Sequence, residues 1–220
     1  MRLSYFLNTD KIDSIGFETI YLERPLSNLV DFNWKNILEP PPKNTSDQTR
    51  KELLLLAKET KNISLKNIEL IHRVDQDLDT PFILLLDKYN LKYPKNYIDL
   101  FYDITYPILI NTKNYWNRAR PKQLANIFNI DINTIITDTI HTPSYPSGHT
   151  VYSKLVANIL KDIYPKISTK ELDYIVLEVA RARTIQGVHY PSDHKASIKF
   201  SDYIFKQLNS KLRKYYNDKI

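Results

Sequence analysis

From about residue 46 onward, apolar residues recur every three to four positions, the period of a helix with one buried face; over residues 1–45 they keep no period. Pro40-Pro41-Pro42 ends that first stretch as a stiff extended segment, so residues 1–45 read as an irregular arm wrapped on the rest. Thr49 with Glu52 has the spacing of a capping box and predicts a helix through Leu53 to Lys58. A second helix is predicted from Ser64 to about Asp75. A third runs from about Pro94 to Trp116, bent at Pro107, where proline removes an intrahelical hydrogen bond. Three more follow. One covers Ser147 to Tyr164 and is stopped by Pro165; one is capped by Ser168 with Glu171 and carries Leu172, Ile175, Val176 and Val179 on one stripe; the last opens at Pro191. The chain therefore reads as one all-α domain over residues 1–220, a helical bundle.

At about 100° per residue, the helical positions fix where the unusual side chains point. Arg183 falls in the middle of the apolar stripe that starts at Leu172, whereas Arg181 falls on the opposite, solvent side. An arginine aimed into an apolar face costs several kcal/mol unless an anion pairs with it, so Arg183 needs a partner that its own helix lacks; a bound phosphate would serve. Tyr152, Leu155, Val156, Ile159 and Ile163 form a buried face, and Gly148 and His149 begin it, so the free amides of that helix start face the core-side cleft and favour an anion. Asp193 shares a face with Ala196, Ser197, Phe200 and Ile204, and the small residues at 196 and 197 allow a close neighbour. Lys113 and Arg120 would share a face if their helix persisted, but Pro121 ends it about there. Glycine occurs three times, and Gly148 and Gly187 stand where special backbone shapes are expected.

Composition narrows the classes. With 220 residues, 42% of them hydrophobic, the chain can bury a substantial core, and with no cysteine it has neither disulfides nor thiolate chemistry. The longest apolar runs, such as residues 82–86, fall far short of the roughly 20 residues of a membrane span. The start Met1 to Asp10 shows no export signal, and the chain is expected to be cytoplasmic or otherwise soluble. A net charge of +6 favours anionic partners, yet the basic residues are interspersed with 25 acids and no nucleic-acid reader motif accompanies them. Lys206, Lys211, Arg213 and Lys214, beside Tyr215 and Tyr216, read as the solvated face of the last helix. His194 beside Asp193 lacks the spacing of a zinc set, His141 belongs to a loop or the cleft mouth, and His72 reads as structural. The 16 tyrosines read as packing, and a homodimer stays open.

Three blocks then stand in order: Lys113 with Arg120-Pro121, Pro146-Ser147-Gly148-His149, and Arg183 with His189 and Asp193. Together they supply three cations, a helix-start anion nest, two imidazoles and a carboxylate, a set able to bind and attack a phosphoryl group. The blocks resemble the superfamily of type 2 phosphatidic acid phosphatases and vanadium haloperoxidases, whose pattern is Lys-x6-Arg-Pro, Pro-Ser-Gly-His and Ser-Arg-x5-His-x3-Asp; the wording looks most similar to the soluble bacterial class A acid phosphatases. The resemblance implies a helical bundle of the acid phosphatase and haloperoxidase type and a metal-independent phosphoric monoester hydrolase acting on a small phosphorylated substrate. His189 would be the nucleophile, Asp193 its orienting partner and His149 the general acid and base. Lys113, Arg120, Ser147, Gly148 and Arg183 would bind phosphate. No cofactor is implied, with vanadate an inhibitor. The alternatives are a haloperoxidase that takes vanadate as cofactor, or a phosphate-binding protein without turnover. Ala182 departs from the pattern, standing where the family has serine.

Overall fold

Ser46, and not Thr49, starts the first helix. The computed structural model describes residue 12, residues 37–137 and residues 139–217, without the side chains of 215–217. In helix α1 (Asp47–Glu59) the Ser46 hydroxyl accepts from the Thr49 N–H at 3.2 Å. Thr49 lies inside the helix and donates its own hydroxyl to the Lys43 carbonyl, 2.8 Å away, so the capping box read at Thr49 and Glu52 does not form and a single serine cap stands one turn earlier. Helix α2 (Leu65–Gln76) is capped by Ser64 as expected. Helix α3 (Thr80–Lys88) carries the Phe82 to Leu86 run, which the periodicity passes over because a continuous run has no period. Helix α4 (Lys95–Trp116) runs through Pro107 and stops at Asn117, which is left-handed at φ 42°. The short α5 (Pro121–Ala125) precedes α6 (Gly148–Ile163), α7 (Thr169–Ile185) and α8 (Pro191–Asn217). Ser168 begins α7 without a side-chain capping bond. The fold is all-α, with no strand among the described residues.

Helix α6 is the axis of the bundle, buried against α7 on one side and α8 on another. Leu155, Val156, Ile159 and Leu160 pack there with Leu172 and Val176 of α7 and Phe200, Ile204 and Leu208 of α8. Tyr152 and Ile163, expected inside, are half-buried at its edges. The small residues of α8 do bring it close. The Ser197 hydroxyl accepts from the Ser147 N–H at 2.8 Å, and the Ser201 hydroxyl donates to the Val151 carbonyl at 3.0 Å, so side chains of one helix bond backbone of the other. Such bonds, worth about 1 kcal/mol each when formed, fix the register between α6 and α8 at the level where their chemistry lies.

The irregular arm expected over residues 1–45 lies outside the described residues except for residues 12 and 37–45, as does the segment read for an export signal. Leu38 is buried in the main core, and the Tyr145 hydroxyl donates to the Glu39 carbonyl at 2.7 Å. Lys206, Arg213 and Lys214 are exposed on α8, where Arg213 pairs with Asp162 at 2.6 Å. Among the described residues, no helix is long and apolar enough to cross a membrane.

Candidate active site

Two arginines hold one histidine and carboxylate pair from its two ends. His189 lies in the turn before α8 and Asp193 in its first turn, so a separation of four residues sets the imidazole Nδ1 3.1 Å from Asp193 Oδ2. The same Oδ2 accepts from the Tyr190 N–H at 3.0 Å, and Oδ1 accepts from Arg118 at 2.6 Å. At the other end Arg120 donates to His189 Nε2 at 2.9 Å and to the Val188 carbonyl at 2.9 Å. A guanidinium has no acceptor, so Nε2 carries the lone pair and the Nδ1 proton goes to Asp193. Burial, followed by the charges of Arg120 and Lys113, holds His189 well below the ordinary histidine range and therefore neutral. Burial pushes Asp193 up, against the pull of the Arg118 guanidinium and the Tyr190 amide.

Arg118 is itself held. Its side chain is 1% exposed, its second terminal nitrogen donates to Glu52 Oε2 at 3.1 Å, and it lies 3.9 Å over the Tyr190 ring. Glu52 also accepts from the Ser192 N–H and hydroxyl, each at 2.8 Å, so α1 is tied to the start of α8 behind the histidine. Burial alone would lower Arg118, but Asp193, Tyr190 and Glu52 outweigh it and leave its pKa raised.

The remaining blocks converge on the cavity beside His189, itself buried. Lys113 reaches in from the end of α4, buried, with its ammonium on the Pro143 carbonyl at 2.6 Å. Burial and then the neighbouring Arg120 hold its pKa well below the usual lysine value. The first bond of α6 runs from Val151 N–H to the Ser147 carbonyl, so the amides of Gly148 and His149 have no helical acceptor and stand at the positive end of the dipole. Ser147, expected to bind phosphate, is fully buried and spends its amide on Ser197, because α8 packs directly behind it. Gly148 is helical and has ordinary room for a Cβ, with Leu109 at 3.6 Å, whereas Gly187 is the left-handed one at φ 78°. Lys113, Arg120, Gly148, His149 and His189 line one cavity of about 430 Å³.

Arg183 does not line that cavity. It is fully buried, as its place on the α7 stripe predicts, but the anion it needs is a side chain: Asp75 of α2 accepts from it at 2.8 Å, and Thr139 accepts from its other terminal nitrogen at 2.9 Å. Asp75 is thus the anion beside Arg183, whose Nε is left unpaired among the described residues. Asp75 also stands 3.8 Å from His149 Nε2. Burial raises Asp75, but bonds from Thr139, Thr137 and Arg183 outweigh it and lower its pKa. Burial and the Arg183 charge pull His149 down to about 3 against Asp75, so in the empty site this imidazole is neutral.

Three residues of this arrangement escape the sequence reading: Glu52, Asp75 and Arg118. Asp75 follows Ile71 by four and Val74 by one, so the arithmetic applied to α7 also puts it on the inner face of α2. His194 is buried between Thr150 and Thr184, with one ring nitrogen on each hydroxyl, at 2.8 and 3.1 Å. Among the described residues no three histidine or acidic side chains converge as a metal ligand set. His141 is exposed at the cavity mouth, and His72 is exposed on α2 rather than structural. Ala182 faces an apolar cluster with Leu70, Ile71 and Val74, away from the cavity.

Residues 99–201 match the family model of the PAP2 superfamily. Over 86 residues the chain is 38% identical to a non-specific acid phosphatase of Salmonella typhi and 36% identical to one of Salmonella typhimurium, in each case covering 38% of this chain. The chain spans about a third of the length of these curated relatives, 32% of each. The fold is similar to that of a solved transmembrane PAP2 type phosphatidylglycerolphosphate phosphatase from Bacillus subtilis, with a TM-score of 0.50 and 17% identity over 80% of this chain and 89% of that one. The matched segment, 99–201, carries all three blocks together with Lys113, Arg120, Gly148, His149 and His189 of the cavity.

Proposed function

We propose that this chain is a phosphatase that hydrolyses small phosphate monoesters through a phosphohistidine on His189, without a metal ion. The observation that carries the reading is the tautomer of His189: Arg120 on Nε2 and Asp193 on Nδ1 put the lone pair on Nε2, with the ring held from behind, and that lone pair is freed for attack when the Arg120 guanidinium turns from Nε2 to the phosphoryl oxygens. Similarity to two non-specific acid phosphatases supports the reaction class.

The Nε2 lone pair attacks phosphorus, the bond to the ester oxygen breaks, and the imidazolium that results is stabilised by Asp193. Lys113, Arg120 and the amides of Gly148 and His149 face the oxygens over which charge spreads, in a cavity of low dielectric where such donors act strongly. His149 gives the leaving oxygen its proton. Being neutral in the empty site, it must be charged as the phosphoryl dianion offsets Arg183, Lys113 and Arg120, or take the proton that a monoanionic substrate brings. In the second half His149 takes a proton from water, the water oxygen attacks phosphorus, and the bond to Nε2 breaks to release inorganic phosphate and restore the histidine. Arg183 acts from behind the wall, holding Asp75 beside His149.

The test is hydrolysis of para-nitrophenyl phosphate with excess EDTA, with and without vanadate, beside His189→Ala and an acid quench that retains phosphohistidine. Turnover that survives EDTA, is blocked by vanadate and is lost with the labelled intermediate in His189→Ala is the expected result. Near wild-type turnover in His189→Ala overturns it.

A further inference from the structure

The cavity is more than a phosphate cage, because its upper wall is apolar and aromatic. On α4 the residues Tyr102, Tyr106, Leu109, Ile110 and Lys113 share one face, with intervals of four, three, one and three. With about 1.5 Å of rise per residue, Leu109 and Ile110 stand roughly 5 Å beyond Lys113 along the axis and Tyr106 roughly 10 Å. Tyr152 of α6, one turn after Gly148, closes the opposite side and meets Tyr102 edge to face at 4.8 Å. Leu78 completes the wall from the turn before α3.

The charge distribution is one-sided. Every lysine and arginine on the cavity surface, Lys113 and Arg120, lies at the phosphoryl end. Outside the wall, a shallow pocket that shares Leu78, Tyr102 and Tyr152 with the cavity is bordered by Asp75, Asp77 and Asp79. Asp79 accepts from the Tyr152 and Tyr93 hydroxyls, which fixes Tyr152 upright at the border. A leaving group with a second phosphate would find three carboxylates that outnumber Lys95, 3.8 Å from Asp79, and a polyol would find Leu78, Leu109, Ile110 and tyrosine rings along the wall, with Thr139, His141 and Thr142 the polar groups elsewhere in the lining.

We propose that Tyr102, Tyr106, Leu109, Ile110 and Tyr152 form a leaving-group subsite that selects monophosphate esters of uncharged aromatic alcohols over esters of polyols and over substrates with a second phosphate. The proposal rests on the phosphatase reading above for its reaction but not for its binding. A ring attached one or two bonds from the ester oxygen lies against Leu109, Ile110 and Tyr106, where burial of apolar surface and edge-to-face contact favour it.

Benzyl phosphate and glycerol phosphate, both alkyl esters, separate recognition from leaving-group reactivity. The expected kcat/KM for benzyl phosphate exceeds that for glycerol phosphate and for fructose bisphosphate by about tenfold or more, the scale of an apolar contact in a specificity pocket, and Tyr106→Ser, at a position 44% exposed where the fold tolerates the change better than at a buried one, lowers the ratio several-fold. Equal rates, or a ratio unmoved by Tyr106→Ser, overturn the subsite while leaving the phosphatase standing. Calorimetric titration with benzylphosphonate and methylphosphonate reads the subsite without turnover. Tighter binding of the benzyl compound by about tenfold supports it even if no ester is hydrolysed, a result that would overturn the reaction alone. Equal affinity overturns the subsite. Preference for a short-chain phosphatidic acid over benzyl phosphate also overturns it, in favour of a lipid leaving group.

Discussion

Arg118→Met removes one side chain and tests the whole support of His189. Arg118 is 1% exposed and supplies the sole guanidinium contact to Asp193 among the described residues, at 2.6 Å, while its other end meets Glu52 at 3.1 Å. After substitution Asp193 keeps the Tyr190 amide and the His189 Nδ1 proton but faces an apolar side chain where a charge stood. Breaking a buried pair by deleting one partner costs about 3–5 kcal/mol, against a total stability of about 5–15 for a domain. The variant should therefore fold, with a urea midpoint lower by about 2 M at a slope near 2 kcal/mol per M. Asp193, already raised by burial, then takes a proton more readily, and His189 loses the acceptor that fixes its tautomer. The expected fall in kcat is about 10²–10⁴-fold with a smaller change in KM, as when the orienting acid of a catalytic histidine is disabled. Arg118→Lys restores charge without the planar fork and should recover part of both losses. Urea titration and steady-state kinetics on the three proteins decide it. A midpoint within about 0.5 M of wild type together with kcat within twofold would refute the reasoning. A lowered midpoint with unchanged kcat would reduce Arg118 to a purely structural role.

Three further outcomes follow from the geometry. His149 and His194 are held near 3 and His189 well below its ordinary range, so between pH 6.5 and 5 the unfolded chain takes up protons that the native histidines refuse; stability should fall as pH falls through that window, with Asp193, which titrates the opposite way, offsetting part of the fall. A urea midpoint flat across that window, in buffer free of phosphate, would contradict the burial of these rings. Asp75→Asn removes the one carboxylate beside His149 and Arg183 among the described residues, so inhibition by inorganic phosphate should tighten by roughly tenfold, and unchanged inhibition would show that the pair does not sense the cage. Gly187→Ala places a methyl at left-handed φ and within 3.0 Å of Ile132 and 3.2 Å of Thr60 and Thr134, which should cost about 2–4 kcal/mol in a thermal or urea melt.

What could be read from the sequence was what a helix repeats. Periodicity turned Arg183 inward on α7 and set Asp193 on the face of α8 that carries Ala196 and Ser197, because both facts depend on neighbours three and four residues away. The partners of those charges do not depend on neighbours. Asp75 reaches Arg183 across 108 positions, Glu52 reaches Arg118 across 66 and Ser192 across 140, and no local pattern marks such pairs. Glu52 was even assigned a local use, as a capping residue, since an acid three after a threonine looks the same whether it closes a helix or points into the core. Thus the need of Arg183 for an anion could be inferred, while the presence of Asp75 beside it could not. The short helix α5 and the continuous apolar run of α3 carry too little period to be seen.

The pairing of Glu52 with Arg118 and of Asp75 with Arg183 divides the active centre between two stretches of polypeptide with different obligations. Lys113, Arg118, Arg120 and Arg183 all come from within residues 99–201, whereas both of these opposing carboxylates come from α1 and α2, ahead of it. A transplant of the motif segment into another helical framework would carry four positive groups and only Asp193 to balance them. Conversely, exchanging the first two helices can retune anion affinity and the proton inventory of the centre while every motif residue stays as it is. The matched segment holds the motif residues, and α1 and α2 ahead of it set the electrical bias around them.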